Sequence, residues 1–219
     1  FFSSYFQTLQ PYLQLAQSDG VANFVYASEF SSLSTNPKDA SYWSTLLSSM
    51  RGVYHGQLDY AEGTGQFAGG TDVVPDISQY GIHTDAYFEA PNGTPKTSLQ
   101  TLFTDWATSM CKRPVSELQS TVLEEVGFDA QTSGYKHPFT VPPTSAKTDV
   151  KLLFMQKVWF NMICSVVKQF DLAGVYFWNI DFDSYYKKLD GNSTKVGPTV
   201  WINRPGASAI SSCFANFKS

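Results

Sequence analysis

Short apolar runs rich in β-branched and aromatic residues alternate with segments of helical periodicity along this chain of 219 residues. The runs predict five strands, near residues 22–29, 57–61, 81–88, 121–127 and 173–179. Helices are predicted around them, near residues 1–20, 42–54, 97–110, 148–170 and 207–217. Strands that are apolar along nearly their whole length and alternate with helices are typical of a parallel sheet covered on both faces.

The predicted α/β architecture fits two folds, a doubly wound sheet or the larger part of an eight-stranded (β/α)8 barrel. No glycine-rich phosphate-binding pattern follows any of the strands, so a nucleotide-binding doubly wound sheet lacks its usual signature. The sequence has no repeat of fixed period and no linker that would divide it. We therefore expect one domain over residues 1–219.

The first predicted helix is amphipathic and lacks the basic start and continuous apolar stretch of a signal peptide. We expect it to pack on the outside of the barrel through Phe2, Phe6, Leu9 and Leu13, and Thr97 to cap the helix near 97–110. A full barrel needs three more βα units, so this chain is expected to cover roughly strands 4–8. An upstream segment or a second chain would supply the rest.

Composition excludes several classes of partner. The net charge is −4, the pI is near 5.3, and no basic cluster interleaves with aromatic residues, which argues against nucleic acid. No apolar run reaches the length of a membrane span. Aromatic residues make up 16% of the chain, and they serve either a phenylalanine-rich core or a cleft whose flat rings contact sugars.

The three cysteines leave at least one unpaired within the chain. Cys164 lies in an apolar segment and is expected to be a buried small hydrophobe, whereas Cys111 and Cys213 can pair with each other or with another part of the protein. Asn92 and Asn192 each begin an N-x-S/T sequence in a loop-like stretch, which favours a glycoprotein outside the cell or at its surface.

Polar side chains recur where the predicted strands end, at Glu29, Tyr60, Glu62, Tyr87, Glu89, Glu124, Glu125, Trp178, Asn179 and Asp181. In barrel enzymes the site is assembled at this edge of the sheet. Glu29 and Glu125 each follow apolar residues, and burial of an unpaired carboxylate is costly, so both are expected to be functional. His55, His83 and His137 lack ligand spacing, and no metal or other cofactor is expected.

Five blocks of sequence, in order, resemble glycoside hydrolase family 113 and its barrel relatives. They are YASEF at 26–30, the W…R..Y.G.LDY pattern over 43–60, GIHTDAYF at 81–88, LEEVGF at 123–128 and GVYFW at 174–178. The resemblance implies a clan A hydrolase that retains anomeric configuration, with Glu29 as acid/base and Glu125 as nucleophile. It also implies substrate contacts: Tyr87 would orient the nucleophile or the sugar, and Trp178 would form the floor of a subsite. Tyr60 and Asn179, at the ends of the second and fifth predicted strands, are also expected to bind substrate.

The implied substrate is a β-linked polysaccharide or oligosaccharide, with β-mannan typical of the family. The two carboxyl groups would lie 5–6 Å apart, with the pKa of Glu29 raised and that of Glu125 lowered. Two departures are visible: Ser28 stands where an Asn or Thr commonly precedes the acid/base, and Ala61-Glu62-Gly63 lacks the family's Asn. Ser28 and the missing N-terminal βα units leave open an alternative, an inactive barrel that binds carbohydrate or has a structural role, whereas the two retained glutamates favour the enzyme.

Overall fold

A computed structural model describes residues 1–69, 72–74, 83–110, 118–140, 150–180 and 200–217. The chain forms two compact units. The first unit comprises Phe1–Asp85 with Arg113–Val122, and the second comprises Ala86–Lys112 with Leu123–Ser219. The expectation of a single domain stays a prediction, and each unit is described by itself.

The first unit alternates helices and strands in the predicted order. Its elements are α1 (Phe2–Ser18), β1 (Asn23–Ser28), α2 (Ser31–Ser34), a 3₁₀ turn (Pro37–Asp39), α3 (Ala40–Arg51), β2 (Gln57–Gly63), α4 (Thr64–Gly69) and β3 (His83–Asp85). β1 pairs in parallel with β2, and β2 pairs in parallel with β3, so strand order follows chain order. The parallel α/β organisation predicted from the sequence is confirmed here.

The core of the first unit lies between its helices and its strands. Leu13 of α1, Trp43 and Met50 of α3, and Tyr54 after α3 are fully buried there. Phe2, Phe6 and Leu9 pack against this cluster, so the predicted buried face of α1 is confirmed. Two polar groups of this core are hydrogen-bonded to backbone carbonyls: the Trp43 indole donates to Leu33 at 3.1 Å, and the Tyr54 hydroxyl donates to Val21 at 2.7 Å.

The second unit continues the alternation. Its elements are α5 (Leu99–Met110), β4 (Val122–Val126, in this unit from Leu123), α6 (Val150–Phe170), β5 (Gly174–Phe177) and α7 (Pro205–Asn216). The predicted cap of α5 was wrong by one residue. Ser98, not Thr97, accepts the backbone N–H of Thr101 through its hydroxyl at 3.2 Å, whereas Thr97 accepts the N–H of Thr94 within the preceding turn.

The core of the second unit surrounds α6, on which Trp159, Phe160, Met162 and Ile163 are fully buried. A disulfide joins Cys164 of α6 to Cys213 of α7, with the two Cα atoms 5.7 Å apart. The expectation of a free Cys164 was wrong, as was a Cys111–Cys213 pair. Spacing along the chain did not reveal the pairing because it depends on how α6 and α7 pack. Cys111 lies outside the described residues.

None of the helices within the described part of the chain is long and apolar enough to cross a membrane.

Candidate active site

Glu125 and Tyr87 form the centre of the candidate site in the second unit. The backbone N–H of Ala86, the residue after β3, donates to the carbonyl of Glu125 at 2.7 Å. This bond sets Tyr87 beside the end of β4, where its hydroxyl donates to Oε2 of Glu125 at 3.0 Å. The carboxylate is partly buried, so this hydrogen bond to a charged acceptor is stronger than the same bond in water.

Trp178 lies next to this pair. Its backbone N–H donates to the carbonyl of Val126 at 3.0 Å, and its peptide bond to Asn179 is cis. A Cβ atom on Gly127 would lie 3.0 Å from Cε1 of Tyr87 and 3.3 Å from Cδ1 of Trp178. A glycine is therefore needed for both rings to approach the strand. The Trp178 side chain is 45% exposed, so this ring is accessible to a ligand.

Glu29 lies directly after β1 in the first unit. Its φ of 54° is in the left-handed region, and its backbone N–H donates to the carbonyl of Ala61 at 2.9 Å. A Cβ on Gly63 would lie 3.3 Å from Oε1 of Glu29, so the carboxylate extends over the end of β2. Glu29 is exposed. The expectation of a carboxylate buried inside a strand was wrong, because the strand ends one residue earlier.

Glu29 belongs to the first unit and Glu125 to the second, and the predicted 5–6 Å approach of their carboxyl groups stays a prediction. The shifts predicted for their pKa values also stay predictions. The hydrogen bond expected between Tyr87 and Glu125 is present, whereas the catalytic roles of these residues remain to be tested.

Tyr60 and Asn179 have different surroundings. Tyr60 is 4% exposed, packs against Tyr26 and Trp43, and has its pKa raised to about 12 by burial. It therefore contributes a neutral ring to the core, and this packing gives no support to its predicted contact with substrate. Asn179 is partly buried, and its Oδ1 has no hydrogen-bond partner among the described residues. Its predicted substrate contact stays a prediction.

Two buried acids near the strand ends were missed by the sequence analysis. Asp85 ends β3, is 3% exposed, and accepts a hydrogen bond from the Ser28 hydroxyl at 2.6 Å. Asp129 follows β4 by three residues and is 1% exposed, and desolvation raises its pKa to about 7. Neither carboxylate oxygen of Asp129 has a hydrogen-bond partner within the described ranges. Asp85 lies in the sequence DAYF, and Asp129 lies in GFDA. Hydrophobic periodicity alone does not distinguish such buried acids from acids on the surface.

The histidines of the described chain do not assemble a metal centre. His83 is buried and lies 3.5 Å from Oδ1 of Asp59, which also accepts from Gln57 at 2.9 Å. His137 lies 3.4 Å from Glu89 on the surface. Across residues 1–217, in the parts that the structure describes, no three side chains of His, Cys, Asp or Glu cluster as metal ligands.

No protein-family model matches the sequence, and neither does any curated protein sequence. Solved structures do match the fold, and they are barrel glycoside hydrolases. A GH113 β-1,4-mannanase superposes with a TM-score of 0.67 at 14% identity, over 98% of this chain and 62% of the mannanase. A GH113 β-mannanase from Alicyclobacillus acidocaldarius gives 0.66 at 15% identity, with the same shares of each chain.

A thermostable xylanase mutant from Cellvibrio japonicus is more distant, with a TM-score of 0.55 at 9% identity over 97% of this chain and 70% of the xylanase. These matches show the fold: the chain has part of the α/β barrel found in these glycoside hydrolases. In particular it has a partial GH113-like fold and spans 62% of the length of the mannanases. The predicted fold class and the resemblance seen in the sequence are confirmed.

Proposed function

We propose that this protein is a retaining glycoside hydrolase that cleaves a β-linked polysaccharide or oligosaccharide by double displacement. Glu125 is the nucleophile, and Glu29 is the acid/base. The observation that carries the proposal is the hydrogen bond of 3.0 Å from the Tyr87 hydroxyl to Glu125, beside the exposed ring of Trp178. A fixed carboxylate next to an accessible indole is an arrangement that suits attack on a bound sugar.

Glu125 suits the nucleophile's role because it must stay ionised and aimed at one atom. The Tyr87 hydroxyl donates to Oε2 and fixes the orientation of the carboxylate. The other oxygen, Oε1, which Tyr87 does not contact, would attack the anomeric carbon and form a covalent glycosyl-enzyme intermediate.

Glu29 suits the acid/base role because it must exchange a proton with both the leaving oxygen and water. Its exposed position after β1 gives water access to the carboxyl group. In the first step it donates a proton to the leaving oxygen, and in the second step it accepts one from the attacking water. This pair of steps requires about 5–5.5 Å between the two carboxyl groups.

The Trp178 ring is the proposed platform for the sugar, since its flat apolar face suits a pyranose ring. The structural neighbours include β-1,4-mannanases and a xylanase. We propose a β-mannan-like substrate first, with Asn179 as a further contact.

The experiment that tests the proposal compares Glu125→Gln with Glu124→Gln on β-mannan and xylan. Neighbouring residues of a strand face opposite sides, so Glu124→Gln is a matched control. We expect Glu125→Gln to lower kcat/KM by about 10³-fold or more with unchanged folding, and the control to keep the parent's rate. A Glu125→Gln variant as active as its parent would end the assignment. A parent that binds oligosaccharide without cleaving it would favour the inactive, carbohydrate-binding alternative.

We also propose that an upstream segment or a second chain completes the barrel. Several large apolar side chains of the first unit are exposed, including Tyr12 at 61%, Leu15 at 58% and Val25 at 41%. Light scattering on the native protein, with intact mass measured in parallel, tests this proposal. A species larger than the 24.3 kDa of this sequence is expected, and a stable monomer of 24.3 kDa contradicts the proposal.

Two features support an extracellular or cell-surface location. The Cys164–Cys213 disulfide favours an oxidising compartment, and Asn92, the start of an N-x-T sequence, is exposed. We expect the native protein to lose mass on treatment with an N-glycosidase, and Asn92→Gln to remove part of that loss. A native protein with free thiols at Cys164 and Cys213 and without glycan would argue against this location.

A further inference from the structure

Ser28 and Asp85 meet across a strand that separates them in the sheet. Ser28 ends β1 and pairs in register with Ala61 of β2, whereas Asp85 ends β3 and pairs with Gly63 of β2. The Ser28 hydroxyl nevertheless donates to Oδ2 of Asp85 at 2.6 Å. The two β2 residues that pair with them, Ala61 and Gly63, have little or no side chain.

Asp85 is the rigid partner in this pair. Its side chain is 3% exposed, and its backbone carbonyl accepts a hydrogen bond from the Thr64 hydroxyl at 3.2 Å. A distance of 2.6 Å is within the range for a hydroxyl that donates to a charged carboxylate. Such bonds are about twice as strong as neutral ones, so a buried Asp85 holds Ser28 in one rotamer.

The residue next to Ser28 is Glu29, whose conformation requires support. Its left-handed φ of 54° is unfavourable for a residue with a Cβ, and its backbone N–H and C=O are bonded to Ala61 and Ser31. The bond from Ser28 adds a side-chain tie one residue before this turn. The end of β1 is thereby fixed both through its backbone and through a buried carboxylate.

We infer that Asp85 is a positioning residue for the acid/base: through Ser28 it fixes the turn that directs the Glu29 carboxyl group toward the leaving oxygen. This inference rests on the proposed function. This role can be distinguished from a purely structural one. A misplaced acid lowers kcat/KM only for substrates whose leaving group must be protonated.

The test uses phenyl and 2,4-dinitrophenyl β-mannobiosides, with the xylobioside pair in parallel because a xylanase shares the fold. The quantity measured is kcat/KM, which reports the first bond cleavage. Ser28→Ala is the main variant because Ser28 is exposed, so we expect its replacement to leave the fold intact. Ser44→Ala is the matched control, since its hydroxyl donates to the Ala40 carbonyl of α3, remote from the strand ends.

We expect Ser28→Ala to lower kcat/KM about 10-fold on the phenyl glycoside and less than about 2-fold on the dinitrophenyl glycoside. Asp85→Ala should give the same pattern, and the double variant should lose no more than the worse single variant. Asp85→Asn should restore most of the phenyl rate because its Oδ1 still accepts from Ser28. If Asp85→Ala does not fold, Ser28→Ala and Asp85→Asn still decide the matter.

If Ser28→Ala lowered kcat/KM equally on the phenyl and dinitrophenyl glycosides, or on neither, the positioning role would be wrong. If Glu125→Gln is inactive while Ser28→Ala behaves like Ser44→Ala, the proposed function stands and this inference alone is wrong. A parent that hydrolyses none of the four glycosides, nor mannan nor xylan, would overturn both.

Discussion

Glu29 in the first unit is held through its backbone, whereas Glu125 in the second unit is held through its side chain. Glu29 has a left-handed φ, backbone bonds to Ala61 and Ser31, and an exposed carboxyl group. Glu125 lies in regular β4, is partly buried, and accepts the Tyr87 hydroxyl on one oxygen. The difference agrees with the two proposed roles. An acid/base must exchange protons with solvent, and a nucleophile must keep its charge and its orientation.

The units also differ in what stabilises them. The second unit carries the Cys164–Cys213 cross-link and a buried acid without a hydrogen-bond partner in the described chain, Asp129. In the first unit, the buried Asp85 accepts a hydrogen bond from Ser28, and the buried His83 lies 3.5 Å from Oδ1 of Asp59. Changes at the disulfide or at Asp129 should therefore have the largest effect on the free energy of unfolding. Changes near Glu29 and Glu125 should mainly affect activity.

The largest effect is expected from removing the disulfide. It closes a loop with a sequence separation of 49 residues, and loss of such a link costs about 4 kcal/mol in the chain-entropy model. Urea denaturation of Cys164→Ala with Cys213→Ala should show this fall in the free energy of unfolding. Equal denaturation midpoints for the parent, with and without a reductant, would contradict it.

Asp129 should make the stability depend on pH. Its pKa is about 7 in the folded chain, against an ordinary value of 3.8, so the native state keeps a proton that the unfolded state releases. The contribution of Asp129 to stability is then largest below about pH 4, falls by up to about 4 kcal/mol as the pH rises to about 7, and is constant above that. Asp129→Asn cannot titrate and should not show this fall.

Urea denaturation of both proteins at pH 5 and pH 8 measures the difference. The control is Asp171→Asn on the surface, which should behave like the parent. If the parent and Asp129→Asn changed equally between the two pH values, the carboxylate would not be carrying a proton in the folded state.

Tyr87→Phe tests whether the side-chain support of Glu125 matters. It removes only the hydroxyl that donates to Oε2, and we expect kcat to fall by about 10- to 100-fold with little change in melting temperature. Tyr176→Phe is the matched control, because Tyr176 is 64% exposed on β5. If the Tyr87→Phe enzyme had the parent's kcat, the side-chain support of Glu125 would not matter for catalysis, and the contrast with Glu29 would fail.

The smallest expected effect compares two glycines. A Cβ at Gly127 would crowd the rings of Tyr87 and Trp178, whereas a Cβ at Gly63 would meet only the ends of flexible side chains, Gln66 at 2.7 Å and Glu29 at 3.3 Å. We expect Gly127→Ala to lower kcat/KM by about 10-fold and Gly63→Ala by less than about 3-fold. Similar losses of kcat/KM in the two variants would show that the ends of β2 and β4 tolerate an added Cβ equally.

Much of the fold was predictable because each element has its own local signal. The spacing of Trp43, Leu46 and Met50 predicted α3, and the apolar runs predicted β1 through β5 to within a few residues. The site was less predictable, since its contacts join distant parts of the chain. Ser28 and Asp85 are 57 residues apart, and periodicity carries no signal for such a bond.

The central claim is that Glu125 is the nucleophile, and trapping of the glycosyl-enzyme intermediate tests it most directly. A 2-deoxy-2-fluoro β-mannosyl or β-xylosyl fluoride slows the second step, so the sugar stays attached to the residue that attacked. Peptide mass spectrometry after protease digestion should find the added sugar on the peptide that contains Glu125, and Glu125→Gln should remain unlabelled. A label on Glu29 or on any other residue, or a hydrolase that turns over with no label at Glu125, would contradict the claim.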